Sequence, residues 1–221
     1  CREVKRIDTS AAFFLSIEFQ ETGFLVYRIH KAAFGNLAGK PVPVVRSVFL
    51  ADTQTIGSTP AQVVVGQTGW EQQLEANKQA FTNSFVQRPQ FTSAFPTTQT
   101  PAQFVDALFA HTGVTPTTSE RQTAIGEFGA AATSADTAAR ARALRDVAEN
   151  SAFSHAEFDR AFVLMQYFGY LQRDPDAAPN TDFSGYNFWL TKLDSFGGDF
   201  HAAEMVKAFI SSDEYRHRFG P

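Results

Sequence analysis

The chain has 221 residues, of which 43% are hydrophobic and 19% charged, with a net charge of −4. That length suits one large domain or two small ones with a proper core. The acidic balance excludes the clustered basic face of a nucleic-acid binder, and no apolar run approaches the roughly 20 residues of a membrane span.

Phenylalanine is abundant, at 23 residues, and large rings bury much apolar area, which suits many small helix junctions. The chain opens on Cys1 and a charged "REVKR", without Met or a targeting segment. A fragment of a longer protein is therefore expected. The single cysteine reads as a free thiol or as half of a bridge whose partner lies elsewhere.

In chain order, "AFFLSIEF" (12–19) is the first aromatic segment, and "GNLAGKPVP" (35–43) and "DTQTIGSTP" (52–60) read as turn-rich. "QVVVG" (62–66) is at most a minor short strand over 62–65, since one isolated strand defines no sheet. Trp70, Leu74, Phe81 and Phe85 fall on one stripe of a helix. "SFVQRPQFTSAF" (84–95) then carries Pro89, tolerated in a first helical turn, so one helix stops and another starts there.

Residues 102–111 and 137–150 read as helical, and Ala-rich 129–143 has strong helix propensity. "TGVTPTTSE" (112–120) separates the first two. Phe158, Phe162 and Met165 share a helix face, as do Leu164, Phe168 and Leu171. After the loop "DPDAAPNTDFSG" (174–185), a stripe through Trp189, Leu193 and Phe196 ends at "GGDF" (197–200). A new helix carries Val206, Phe209 and Ile210, and "SSDE" places Ser211 three residues before Glu214, a capping box.

Repetition underlies this order. Aligning "AFISSDEYRHRFG" (208–220) with the earlier segments puts Phe209 on Phe85 and Phe13, and Tyr215 on Phe91 and Phe19. A weaker copy, "VAENSAF" (147–153), puts Phe153 on Tyr215. The anchor thus recurs at 19, 91, 153 and 215 with near-constant spacing, as a sharply bent helix corner. The expected fold is all-α: divergent tandem helical repeats with long loops. A truncated first unit (1–23) precedes units at 24–96, 97–158 and 159–221. All pack as one elongated domain in which neighbours close each other's apolar faces.

Residues 163–220 carry Tyr170, Leu171, Arg173, Pro175, Asp176, Gly185, Phe188, Trp189, Leu193, Ser212, Glu214 and Tyr215. This pattern resembles the domain of unknown function 4214 family. "PNTDFS" (179–184) is an insertion relative to that family, and the earlier copies match it weakly. The resemblance implies a non-catalytic tandem module of a large secreted or surface-attached bacterial protein, with a glycan or protein partner. It also implies that Cys1 forms a disulfide with a partner outside the chain, as suits an oxidising compartment. The alternatives are a purely structural spacer and, more remotely, a hydrolase. The sequence leaves the oligomeric state open.

Candidate chemistry concentrates in one loop of the fourth unit. Asp174, Asp176, Asn180 and Asp182 are a calcium ligand set by oxygen density, without the Gly and Glu spacing of an EF-hand. The competing reading is a solvated turn in which Asp176 or Asp182 caps the next helix. No other cofactor is indicated. Tyr170, Arg173, Tyr186 and Asn187 flank this loop as candidate ligand-binding residues, with Tyr170, Tyr186 and Asn187 the ones expected at the surface. Arg173 has the alternative of an internal pair with a carboxylate. A sugar-stacking platform of Trp70, Trp189 and Tyr186 competes with core positions for both tryptophans. His201 and Glu204 read as neighbours on one helix, either as half of a metal site or as an exposed pair. No Gly-x-Ser-x-Gly elbow and no phosphate loop is present, so no catalytic residues are assigned.

Overall fold

The computed structural model describes residues 16–220, apart from the side chains of Ile17 and Glu18. Cys1, its expected disulfide and Phe13 lie outside the described residues. The fold is all-α, and no strand occurs among the described residues, so Gln62–Gly66 is loop. The helices are α1 (Ile17–Glu21), α2 (Gly23–Phe34), α3 (Arg46–Ser58), α4 (Trp70–Phe85), α5 (Pro89–Ala94) and α6 (Pro101–Thr112). They continue with α7 (Thr118–Gly126), α8 (Thr137–Ala148), α9 (Ser151–Gln166), a π-helical turn (Tyr167–Leu171), α10 (Ser184–Ser195), α11 (Met205–Ser211) and α12 (Asp213–Phe219). No described helix is long and apolar enough to cross a membrane.

Helix α2 is the centre of the core. Its sequence, GFLVYRIHKAAF, is apolar nearly all round, and a helix of that kind must be enclosed. It packs against α3, α6, α8 and α9, burying Phe24, Leu25, Val26, Tyr27 and Ile29. Each such side chain contributes about 1.5–3 kcal/mol. Its entry is tight: a Cβ on Gly23 would stand 2.7 Å from the Phe19 ring.

Enclosure forces the polar residues of α2 to find partners. Tyr27 Oη donates to Glu157 Oε2 of α9 at 2.6 Å. His30 Nε2 meets Asp52 Oδ2 of α3 at 2.8 Å. Arg88, at the start of α5, donates to both Asp52 oxygens at 2.8 and 2.7 Å while its guanidinium lies over the Phe85 ring. Arg140 is buried with no carboxylate partner among the described residues. It donates to the Phe95 carbonyl, and its charge faces the Phe104 and Phe91 rings at 5.0 and 5.5 Å, which offsets part of its desolvation.

The recurring aromatic is a recurring piece of local geometry. Phe19, Phe91, Phe153 and Tyr215 are each the third residue of a helix. Ser16, Asn150 and Ser212 cap three of these helices, each side chain accepting from the aromatic's own N–H. At the fourth, Pro89 follows Arg88, whose backbone (φ −62°, ψ 141°) matches that of Ser212 (φ −64°, ψ 150°). The surroundings of the rings differ. Phe91 sits in a cluster with Phe85, Phe95 and Phe104, whereas Tyr215 is half-buried against Tyr170 and Phe219.

Several expectations are corrected. Residues 52–58 are helical, because Asp52 and Ile56 are buried, and the Thr55 and Ser58 hydroxyls are accommodated by bonding back to Ala51 and Gln54. Ala-rich 129–136 is not helical: Gly129 is left-handed and Asp136 starts α8 by accepting from the Ala139 N–H. The final cap is Ser212, not Ser211, which ends α11. The capping boxes form instead at Thr100–Gln103 and Thr117–Glu120. His201 lies in a turn rather than on a helix with Glu204, whose backbone is left-handed. Lys40 and Arg46, of the expected second unit, bond directly to Asp176 and Asp174 of the expected fourth.

Burial alone would raise the Asp52 carboxyl, but hydrogen bonds from His30 and then Arg88 outweigh it and hold the group below the usual carboxylate range. Its contribution to stability is therefore present at neutral pH and lost as pH falls through its depressed pKa. Asp52→Asn should cost about 3 kcal/mol at pH 7 by urea denaturation. The gap from wild type should narrow only as pH falls below the ordinary carboxylate range and through the depressed pKa of the native carboxyl.

Candidate functional site

The loop that the sequence marks for chemistry is built around Arg173. Helix α9 widens into a π turn, and Gln172 then adopts a left-handed backbone (φ 50°) that aims Arg173 back beneath the loop. Arg173 is 8% exposed. Its Nε and Nη2 donate to Glu214 Oε1 and Oε2 at 2.7 and 3.0 Å. Nη1 reaches the carbonyls of Asp174, Pro175 and Ala177, each at 3.1 Å, and Nη2 also reaches Asn180 Oδ1 at 3.1 Å. The guanidinium lies over the Tyr167 ring. All its donor directions are thus used internally, which is the planar, forked chemistry that lysine cannot reproduce.

The neighbouring residues are committed in the same way. Asp174 Oδ1 accepts from the Arg46 N–H at 2.8 Å, so it caps α3 from across the fold, where Val45 offers no side-chain oxygen. Asp176 accepts from Lys40 Nζ at 2.6 Å. Asp182 accepts from the Ser184 N–H and hydroxyl at the start of α10. The four oxygen-bearing residues expected to share calcium therefore hold four different structural partners. No group of three His, Cys, Asp or Glu side chains is placed to hold a metal among the described residues. A Cβ on Gly185 would stand 2.7 Å from Tyr167 Oη, so that glycine serves close packing.

The expected surface aromatics are corrected too. Tyr186 is 0% exposed and donates to the Arg160 carbonyl at 3.1 Å. Tyr170 is buried with its ring edge against Tyr215. Of the four candidate ligand residues, Asn187 alone is exposed. Trp189 is half-buried between Phe209 and the Lys192 ammonium, and its neighbour Phe188 is exposed. Trp70 opens α4, packed partly on the core. No shared platform of Trp70, Trp189 and Tyr186 forms.

A concave polar surface lies elsewhere, between α4 and α8. It encloses about 380 Å³ and includes Glu75, Asn83, Glu127, Arg142, Arg145 and Asp146. Arg145 donates to both oxygens of Glu75 at 2.6 and 2.9 Å and to Glu149 at 2.9 Å. Arg142 pairs with Glu127. With both guanidiniums engaged by other carboxylates, Asp146 has no ion pair among the described residues, and its Oδ2 is buried without a hydrogen bond. Burial, then the nearby charges of Glu127 and Glu149, push its carboxyl up to about 6, against weaker opposing pulls from Arg145 and Arg142. Sequence reading missed this groove because its walls are about 70 residues apart and carry no motif. A local signal was the Arg145–Glu149 pair at helical spacing.

No family model matches the chain, and neither a curated protein nor a solved structure matches it.

Two outcomes follow from this geometry. Arg173→Lys should lose about 3 kcal/mol in chemical denaturation, with α12 amides the first to lose protection from hydrogen exchange as the Glu214 tether goes. Asp146 behaves oppositely. Its raised pKa means that ionisation opposes folding, with the penalty growing as pH rises through about 6. Asp146→Asn should therefore stabilise the protein at pH 8 by on the order of 1 kcal/mol. The advantage should vanish below pH 4, read from paired melting curves.

Proposed function

We propose that the chain is a non-catalytic helical module of a large secreted or surface-attached bacterial protein, and that it binds a glycan or protein partner in the α4–α8 groove. The observation that carries this reading is the Arg173 hub. Arg173, Asp176, Ser212 and Glu214, which help mark the resemblance to the domain of unknown function 4214 family, are spent on internal bonds. Charged groups bonded in this way hold a scaffold together. The groove, by contrast, keeps a buried carboxylate oxygen without a partner, the kind of convergent polar feature that fixes a ligand's orientation.

The spacer reading is the second possibility, and the same hub favours it, since a display domain needs rigidity and no ligand. Glycan and peptide arrays separate the two. Binding that is weakened about tenfold by Glu75→Gln, a loss of about 1.4 kcal/mol, with an unchanged helical spectrum, is the expected result. Silence across both arrays would leave the spacer. Turnover of any arrayed glycan or peptide would overturn both readings.

A further inference from the structure

A second groove adjoins the first along α4. It encloses about 280 Å³ and is lined by Glu21, Trp70, Glu71, Leu74, Glu75 and Lys78. Glu75 lines both grooves, so they meet on one helix and form a track from Trp70 to Asn83. At 1.5 Å per residue this stretch of α4 is about 20 Å long, which an extended segment of about six residues would span.

The track has a definite charge sign. Its carboxylates are Glu21, Glu71, Glu75, Glu127, Asp146 and Glu149, against three cations, Lys78, Arg142 and Arg145. Each cation is already engaged: Lys78 by Glu21, Arg142 by Glu127, and Arg145 by Glu75 and Glu149. Glu71 and Asp146 have no ion pair among the described residues. They stand in different grooves, Glu71 in the one that the half-buried Trp70 also lines. An aromatic ring flanked by a carboxylate is a seat for a cation, with a ring contribution of about 0.5–2 kcal/mol. The buried, unbonded Oδ2 of Asp146 is an acceptor for a charged donor.

We propose that the two grooves form one binding track for an extended basic segment of a partner protein, with one Lys or Arg side chain at Trp70 and Glu71 and another at Asp146. This rests on the reading of the chain as a binding module and names the chemistry of its partner. Two cation seats joined through Glu75 on a track of that length favour a peptide with separated basic residues over a single small amine.

Fluorescence anisotropy of the whole chain with labelled Ser-Gly octapeptides tests the proposal, using peptides that carry two arginines several residues apart, two glutamates, or neither. The basic peptide should bind, and the others should not. Its affinity should fall about tenfold in each of Glu71→Gln and Asp146→Asn, a loss of about 1.4 kcal/mol per seat, and should weaken with added salt. Both variants are isosteric, and helical spectra establish that they fold. Equal binding of all three peptides, or basic-peptide binding indifferent to both variants, would overturn the track. Spermidine or chitosan oligomers competing at the same seats while the peptide fails would assign the track to a small polyamine or a cationic glycan and overturn the peptide partner. Failure of every basic probe, with a neutral glycan still bound in the α4–α8 groove, would overturn this inference and leave the module reading intact. Failure of all ligand classes would overturn both.

Discussion

The enclosure of α2 is the constraint on which the rest of the structure depends. A helix buried on every side cannot leave a polar group to water, so each one it carries must be met by a neighbour. Tyr27 is met by Glu157 and His30 by Asp52, which in turn takes both donors of Arg88. These bonds fix α3, the α4–α5 corner and α9 around the same axis. Apolar area supplies the driving force here, and polar satisfaction decides which surfaces face each other.

The C-terminal part is organised differently. There a single guanidinium gathers a loop that has little apolar content of its own. Arg173 ties three loop carbonyls, Asn180 and Glu214 into one network, and Asp174 and Asp176 join that loop to Arg46 and Lys40. A loop rich in acidic residues thus acts as a mortise between elements that are distant in the chain. Its density of oxygen atoms reflects the donors it meets: a helix N-terminus, an ammonium and a guanidinium.

The α4–α8 surface follows the opposite logic. Its guanidiniums are shared among more carboxylates than they can neutralise, so Asp146 keeps a buried Oδ2 and has no ion pair among the described residues. Such a group costs stability, and positions where a fold tolerates that cost are candidates for function. The contrast with the Arg173 loop matters: one cluster of charges is closed upon itself, and the other keeps a buried acceptor without a hydrogen bond among the described residues.

The sequence by itself determined the helical class, the stripe of α4 and the places where helices bend. All three rest on local periodicity, proline position and capping, and Phe19, Phe91, Phe153 and Tyr215 do occupy the same position in their helices. It also offered a carboxylate pair as the alternative to a ligand for Arg173, though not Glu214 over any other. Tertiary structure alone decided that Tyr186 is buried, that Asp174 caps a helix more than a hundred residues earlier, and that Glu75 and Arg145 face each other across a groove. Burial and long-range pairing depend on which faces meet, and a local pattern records only that a face exists.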